Sequence, residues 1–368
     1  MIPGEDMIGR RIGTAASLLA AVLLLTLPAG AVSARKAVVM DSVGKRICYE
    51  KQAGDRSLIA STTKIMTALL VCENCNVLEP VKIPRQAVGV EGSSLYLKEG
   101  EVLTVQELLY GLMLHSGNDA AAALAIHCGG SIDGFAAMMN EKAERLGLTG
   151  SHFENPHGLD SENHYSTARD LAVLGLEAMK NPIFRKTVST KRVRIGDRYL
   201  KNHNKLLWQI EGCEGIKTGY TKAAGRILVS SVTRQGRRIA AVTISAPDDW
   251  RDHRILYEKA FEEFETRQLF HKGQRVLSYP VAGGEKTSVP LKADGDFSFP
   301  VREGEQAMVI LPGPGFCYAP VVRGAQAGTA LVVIDGTVVG KLPLVYGRTV
   351  EIPQEAPGFW ERLFGGNP

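Results

Sequence analysis

The chain has 368 residues, of which 45% are hydrophobic and 22% are charged, and its formal net charge at pH 7 is +4. This length exceeds one average domain, and the composition is that of a globular protein able to bury a sizeable core, so we expect two domains. No run of Lys and Arg is interleaved with aromatic residues, so nucleic-acid binding has no support.

The N-terminal segment has the pattern of a secretory signal peptide. A pair of arginines precedes a largely apolar run from Ala15 to Leu27, and small residues follow as far as Ala34. This run is shorter than the ~20 residues that a transmembrane helix needs, so cleavage after Ala31 or Ala34 is favoured over a membrane anchor. We therefore expect residues 1–34 to be removed and the rest of the chain to be secreted across the cytoplasmic membrane.

The next part of the chain combines short strand patterns with helical patterns. Runs bounded by turn residues predict strands at 37–40, 46–49, 217–219, 227–232 and 239–245. Apolar residues at helical spacing predict helices at 61–70, 105–114, 120–126 and 171–178. Because the strands come from both ends of this part, we expect residues 35–268 to form a domain with an antiparallel sheet flanked by helices.

Beyond about Phe270 the chain becomes rich in Val, Pro and Gly, and long helical periods end. Strands are predicted at 276–279, 287–291, 307–311, 330–334 and 338–342. Asp335 and Gly336 form a hairpin-turn signal before the last of them. We therefore expect a small all-β domain over residues 269–352 and an α+β fold for the whole chain.

The six cysteines and eight histidines indicate neither a disulfide framework nor a metal site. The cysteines are too few and too scattered for such a framework in a chain of this length. Cys72 and Cys75 form a C-x-x-C pair without a second ligand pair, so a helix-end disulfide or free thiols are favoured over a zinc or redox site. The histidines lack metal-ligand spacing, and we expect neither a metal nor a cofactor.

Three short strings carry residues suited to serine acyl transfer. In chain order they are Ser61-Thr62-Thr63-Lys64, Ser116-Gly117-Asn118 and Lys217-Thr218-Gly219. Residues three apart on a helix share a face, so Lys64 can contact Ser61 and accept its hydroxyl proton. Burial and a second nearby cation, Lys217, would lower the pKa of Lys64 and make it a usable base. The second string interrupts a helical pattern, which predicts a turn whose side chains point into the same cleft.

These strings and their flanks resemble the low-molecular-mass penicillin-binding proteins that are serine-type D-alanyl-D-alanine carboxypeptidases. The three strings match the SxxK, SxN and KTG motifs of penicillin-binding proteins and serine β-lactamases. The matching segments are STTKIMTALL (61–70), EGSSLYLKEG (91–100), LLYGLMLHSGNDAAAA (108–123), NPHGLD (155–160), YSTARD (165–170) and KTGYT (217–221). The resemblance implies a β-lactamase/transpeptidase-like catalytic domain followed by a β-rich domain.

The resemblance also implies the residues that carry out catalysis. Ser61 is the expected nucleophile and Lys64 its general base. Ser116 is suited to relay a proton to the leaving amine, and Asn118 to hold the substrate amide and Lys64. The backbone N–H groups of Ser61 and Tyr220 form the expected oxyanion hole.

A second group of residues is expected to bind the terminal carboxylate of the substrate. Lys217 and Thr218 supply a cation and a hydroxyl donor, and Gly219 lets the substrate approach an edge strand closely. Family members often add an arginine shortly after the KTG hairpin. Arg251 is the candidate here, with an ordinary surface residue as the alternative. His157 lies in one of the matching segments, where a part in loop structure is favoured over catalysis.

The C-terminal segment, residues 353–368, places four apolar side chains on one side of a short helical pattern: Phe359, Trp360, Leu363 and Phe364. In the family that the chain resembles, a C-terminal amphipathic helix holds the enzyme at the membrane surface. About ten residues favour weak peripheral contact with the outer face of the membrane over stable anchoring. A helix packed on the β domain and a frayed chain end are the alternatives.

The resemblance implies an enzyme of the cell wall that removes the terminal D-alanine of peptidoglycan stem pentapeptides through an acyl-enzyme on Ser61. β-Lactams are expected to acylate the same serine. A β-lactamase is one alternative, but the stretch from Asp119 to Ile216 contains no E-x-x-L-N string to supply a deacylation base. A catalytically idle wall-binding protein is the other. An idle protein would be expected to carry a broken motif, and all three motifs are intact here.

Overall fold

The structure is a computed structural model that describes residues 32–353. The predicted signal sequence up to Ala31 and the predicted amphipathic tail lie outside the described residues. Within residues 32–353, no single helix is both long and apolar enough to cross a membrane. Two consecutive helices, Asn118–Gly129 and Ile132–Leu146, meet the length and composition test only as a pair, bent by 81°.

Residues 32–264 form an antiparallel sheet enclosed by helices. The strands are β1 (Lys36–Asp41), β2 (Ile47–Lys51), β3 (Pro80–Lys82), β4 (Val102–Thr104), β5 (Arg192–Ile195), β6 (Arg198–Lys201), β7 (Cys213–Thr221), β8 (Gly225–Arg234) and β9 (Arg237–Ile244). The helices are α1 (Lys64–Asn74), α2 (Val105–Leu114), α3 (Asn118–Gly129), α4 (Ile132–Leu146), α5 (Ala168–Ala178), α6 (Pro182–Ser189), α7 (Leu206–Gln209) and α8 (Asp249–Glu263). The main sheet has the order β2-β1-β9-β8-β7, so strands from both ends of this part pair with one another, as predicted.

Both faces of the main sheet are buried. Along β1, Val38 and Met40 pack into a large core with α1 to α6, whereas Ala37 and Val39 pack into a second core with α7 and α8. This alternation is the two-residue period of a strand, and burial on both faces explains why residues 37–40 are all apolar. At one edge of the sheet, β7 lies against a 3-10 helix, Ala60–Thr63, that leads into α1. The edge position leaves one side of β7 without a partner strand among residues 32–353.

The chain enters a second, all-β part at Glu265, four residues before the predicted start of that domain. Its strands are β10 (Glu265–Phe270), β11 (Arg275–Ala282), β12 (Ser288–Ala293), β13 (Phe297–Val301), β14 (Ala307–Ile310), β15 (Cys317–Tyr318), β16 (Gln326–Ile334) and β17 (Thr337–Tyr346). Six of them form a sheet of order β14-β16-β17-β12-β11-β15, and β10 pairs with β13. An ion pair of 2.6 Å between Arg46 and Glu305 joins this part to the first.

The C-x-x-C pair lies where α1 ends. All six cysteines are free thiols. The free-thiol alternative therefore describes this pair in the structure.

Candidate active site

Ser61 and Lys64 lie on one side of the turn that opens α1. Ser61 belongs to the 3-10 helix, and Lys64 is the first residue of the α-helix that continues from it. The Nζ atom of Lys64 lies 3.1 Å from the Oγ atom of Ser61. The contact expected from the three-residue spacing is therefore present, although the turn that carries Ser61 is 3-10 rather than α-helical.

The Nζ atom of Lys64 is fully buried and has three hydrogen-bond partners. It donates to the Asn118 side-chain oxygen and to the His157 carbonyl, each at 2.6 Å, and it contacts Ser61. Burial, and next the charge of Lys217, lower the pKa of Lys64 well below its ordinary value, against an opposing effect of Asp119. A neutral amine keeps two N–H donors for Asn118 and His157 and has a lone pair for the Ser61 proton. The geometry therefore suits a general base.

The Ser116-Gly117-Asn118 string forms the predicted turn between α2 and α3. Ser116 is 5% exposed and has a φ of 67°, a left-handed conformation that is uncommon for a residue other than glycine. The Asn118 amide nitrogen donates to the Glu91 carbonyl, and the Asn118 backbone N–H donates to the Ser93 carbonyl at 2.7 Å. These bonds fix Asn118 so that its side-chain oxygen faces Lys64.

The segment Asn155–Gly158 closes the site from the other side. The Thr67 hydroxyl on α1 donates to the Pro156 carbonyl at 2.6 Å, and this bond secures the loop. Gly158 has a φ of +88°, and a Cβ atom there would lie 1.9 Å from the Ala60 carbonyl oxygen. His157 contributes its backbone carbonyl to Lys64, a contact that side-chain patterns do not reveal.

Asp119 is a buried carboxylate that the sequence reasoning did not single out. It accepts hydrogen bonds from the Ser94 hydroxyl at 2.7 Å and from the backbone N–H groups of Leu95 and Leu97 at 3.0 and 3.1 Å. A charged acceptor with several donors is a strong anchor for a loop. Asp119 thus holds the 93–97 segment beside the cavity.

The Lys217-Thr218-Gly219 string lies on the edge strand β7, directly against the nucleophile turn. Lys217 is 1% exposed, and burial lowers its pKa to about 7. A Cβ atom on Gly219 would lie 3.3 Å from the Ser61 backbone nitrogen, which is tighter than an ordinary contact. A residue without a side chain therefore lets β7 approach Ser61 closely, next to Tyr220.

A cavity of about 370 Å³ brings the three strings together. Its lining includes Ser61, Ser93, Ser116, His203, Lys205, Thr218, Gly219, Tyr220, Arg226, Asp249 and Trp250. At least one residue of each string faces this space, as the predicted cleft requires.

Arg226 is the arginine that the structure brings to this cavity. It lies on β8 directly opposite Tyr220, and its guanidinium donates to both carboxylate oxygens of Asp249, at 2.7 and 3.0 Å. It also lies over the Trp250 ring, 5.8 Å from the ring centre. Arg251, the sequence candidate, is exposed on α8 and does not line the cavity. The sequence could have indicated Arg226, because the hairpin that follows Lys217-Thr218-Gly219 is short and its returning strand pairs with the motif.

Two family models match the chain. The model of the D-alanyl-D-alanine carboxypeptidase family matches residues 25–248. The model of the C-terminal domain of penicillin-binding protein 5 matches residues 264–352. The chain belongs to the D-alanyl-D-alanine carboxypeptidase family.

Relatives and solved structures agree with this membership. The chain is 34% identical to D-alanyl-D-alanine carboxypeptidase DacF of Bacillus subtilis over 70% of each protein. It is 34% identical to DacD of Salmonella typhimurium over 79% of this chain and 81% of that protein. The structure resembles penicillin-binding protein 5 from Haemophilus influenzae with a TM-score of 0.73 and 29% identity, covering 87% of this chain and 98% of that one.

Membership in the D-alanyl-D-alanine carboxypeptidase family confirms the predicted family, the α+β fold class with its all-β C-terminal part, and the enzyme class, a serine-type carboxypeptidase. It favours this function over a β-lactamase or an idle wall-binding protein. Members of the family act on peptidoglycan and bind penicillins.

Proposed function

We propose that this D-alanyl-D-alanine carboxypeptidase releases the terminal D-alanine of peptidoglycan stem pentapeptides through an ester formed on Ser61. The observation that carries the proposal is the buried Lys64 amine, 3.1 Å from the Ser61 hydroxyl and fixed by Asn118 and the His157 carbonyl. A serine hydroxyl needs an adjacent base to become a nucleophile, and a buried lysine beside another cation can be that base.

The acylation step uses the three strings together. Lys64 accepts the Ser61 proton while Oγ attacks the carbonyl carbon between the two D-alanines. The developing oxyanion is stabilised by the backbone N–H groups of Ser61 and Tyr220, a contribution typically worth about 10² to 10³ in rate per donor. Ser116 passes the proton to the leaving amine, the C–N bond breaks, and D-alanine departs. Water then hydrolyses the ester.

Recognition of the terminal carboxylate is assigned to β7 and β8. Thr218 supplies a hydroxyl, Lys217 a nearby positive charge, and Arg226 a guanidinium that Asp249 holds in place at the cavity wall. A planar guanidinium binds a carboxylate with defined geometry, which favours substrates that end at this point. We therefore assign to Arg226 the role that the sequence suggested for Arg251.

We also propose that the enzyme acts outside the cytoplasmic membrane and that its leader is cut after Ala31. The Ser33 backbone N–H and hydroxyl donate to Asp252 at 2.8 Å, and the Ala34 backbone N–H donates to it at 2.9 Å. Cleavage after Ala34 would leave the buried Asp252 carboxylate without these donors, at a cost of roughly 1–3 kcal/mol. The intact mass of the secreted protein distinguishes Val32 from Arg35 as the first residue.

The test is release of free D-alanine from diacetyl-L-Lys-D-Ala-D-Ala. The wild-type enzyme should release it, and Ser61→Ala should not. A matched serine variant, Ser189→Ala, removes a hydroxyl that bonds the Lys186 carbonyl at the end of α6, away from the cavity, and should retain release. Wild-type activity in Ser61→Ala would overturn the assignment of the nucleophile.

A further inference from the structure

Two cysteines lie where two helices of the first part of the fold end. Cys75 caps the end of α1, and Cys128 lies in the last turn of α3. The other four cysteines lie inside α1 or on three separate strands: Cys72 on α1, Cys48 on β2, Cys213 on β7 and Cys317 on β15. The mechanism above uses none of the six thiols.

The helices α1 and α3 run side by side from the active site to these two cysteines. They begin at Lys64 and Asn118, whose side chains are joined by a hydrogen bond of 2.6 Å. Cys75 and Cys128 follow these residues after nearly equal lengths of helix, about 15 Å at 1.5 Å per residue. The two helices contact each other and pack into the same core. The two cysteines are therefore brought to the same level of the helix pair.

Two side-chain contacts hold the end of α1 against α3 and α4. The Nε2 atom of His127, in the last turn of α3, lies 3.6 Å from the Oε2 atom of Glu79, four residues after Cys75. On the other side of this cysteine, the Glu73 carboxylate pairs with the ammonium of Lys142 on α4 at 2.7 Å. The chain on both sides of Cys75 is therefore anchored to the two helices that meet beside the second cysteine.

The thiols of Cys75 and Cys128 are close enough to affect each other's ionisation. Both are partly buried and pack against the edge of the main core. Their interaction is the largest cause that raises the pKa of the Cys75 thiol and the largest cause that lowers the pKa of the Cys128 thiol. Cys72 differs, because it is 9% exposed and burial raises its pKa to about 12. A lowered pKa favours the reactive thiolate, so Cys128 is the expected nucleophile of the pair.

We propose that Cys75 and Cys128 form a disulfide in the exported enzyme, which ties the far ends of α1 and α3 together. The inference relies on the proposed export, because disulfides persist outside the reducing cytoplasm. The oxidant is a disulfide of a small thiol or of a thiol protein. The Cys128 thiolate attacks one of its sulfurs, a mixed disulfide forms, and one thiol leaves. The Cys75 thiol then displaces the second, so two protein thiols are oxidised, the oxidant is reduced to two thiols, and both protons pass to these.

Such a bond should stabilise the fold without altering the chemistry of the site. It closes a loop of about 50 residues, and the restriction of the unfolded chain predicts a rise of about 5–10 °C in melting temperature. It lies about 15 Å along each helix from Lys64 and Asn118, so the first turns that hold these residues stay in place.

The test oxidises the purified full chain with oxidised glutathione and compares it with a sample reduced by dithiothreitol. Non-reducing tryptic digestion should yield peptide 65–82 joined to peptide 99–142. A bond between Cys72 and Cys75 would instead leave peptide 65–82 separate and two hydrogens lighter. The oxidised wild type should melt about 5–10 °C above the reduced form, and penicillin should acylate both forms at the same rate.

Variants locate the bond. In Cys75→Ala and in Cys128→Ala, the oxidised and reduced samples should melt at the same temperature. Cys72→Ala is the matched control, and it should keep both the joined peptides and the difference in melting temperature. Because oxidised protein is compared with reduced protein of the same variant, the effect of each substitution on folding cancels.

The exported protein, isolated with its free thiols blocked by alkylation, should already contain the joined peptides. Separate peptides in that sample or in the oxidised wild type would overturn the inference. So would a joined form that melts no higher than the reduced form, or a Cys72→Ala variant without the temperature difference. Failure of the proposed function is distinguishable, because a protein that releases no D-alanine and does not react with penicillin can still form this bond.

Discussion

Replacing Gly158 by alanine should disable the nucleophile by displacing it rather than by removing a functional group. The new Cβ atom would lie 1.9 Å from the Ala60 carbonyl oxygen and 2.8 Å from the Thr63 hydroxyl, so the backbone must move by about 1.5 Å to restore an ordinary contact of 3.4 Å. Ala60 precedes Ser61, and Gly158 follows the His157 carbonyl that holds Lys64. Either movement alters the distance between Ser61 and Lys64, and a misplacement of 1 Å can cost about 10² in rate.

The assay is the second-order rate of acylation by a fluorescent penicillin, with the free energy of unfolding measured in parallel. Gly158→Ala should acylate about 100-fold more slowly and lose roughly 1–3 kcal/mol of stability from strain at positive φ. Gly147→Ala is the matched control, because Gly147 has a φ of +72° and open space around its Cβ position. It should lose stability but keep the wild-type rate. Wild-type acylation in Gly158→Ala, or equal loss in Gly147→Ala, would refute the reasoning.

Three further predictions concern charge. Lys217→Gln removes a charge that lowers the pKa of Lys64, so this pKa should rise. The acid limb of the acylation pH profile should then move to higher pH, and an unchanged limb would contradict the coupling between the two lysines. Arg226→Gln should reduce kcat/KM about 10- to 100-fold on peptides with a free terminal carboxylate and have little effect on the corresponding peptide amides. Arg251→Gln should leave kcat/KM unchanged on both substrates. An equal effect of Arg226→Gln on the two substrates would exclude carboxylate binding by Arg226. The protein should be acid-labile because burial lowers the pKa of four histidines. The value is about 4 for His157, His164 and His203, and about 3 for His253. As the pH falls, the histidines of the unfolded chain take up protons before the buried ones do. Their contribution to stability is therefore fully present above about pH 6.5 and is lost as the pH falls towards about 4. The same urea midpoint at about pH 7 and about pH 5 would contradict this.

Local sequence patterns were sufficient for the parts of the fold and site that depend on short spacing. The contact between Ser61 and Lys64 follows from residues three apart, and the turn at Ser116 follows from an interrupted helical pattern. An antiparallel sheet built from both ends of this part was also predictable, because the N-terminal hairpin and the hairpin after Lys217 both showed strand patterns bounded by turn residues. The contact and the turn are each determined within about ten residues of chain.

Other parts of the site depend on contacts between distant segments. The His157 carbonyl reaches Lys64 from 93 residues away and involves no side chain, so no motif encodes it. The place of Arg226 depends on the register between β7 and β8. The helix α8 was not predicted because its many charged residues obscure its apolar stripe, which faces the sheet.

The most direct test of the account is to locate the penicillin adduct by mass spectrometry. The bound penicilloyl group should map to the tryptic peptide Ser57–Lys64 in the wild type. It should be absent from Lys64→Ala, in which the missing cleavage site extends the peptide and a native thermal melt shows that the protein still folds. An adduct on a different serine, or equal labelling of Lys64→Ala, would contradict the claim that Ser61 is the nucleophile and Lys64 its base.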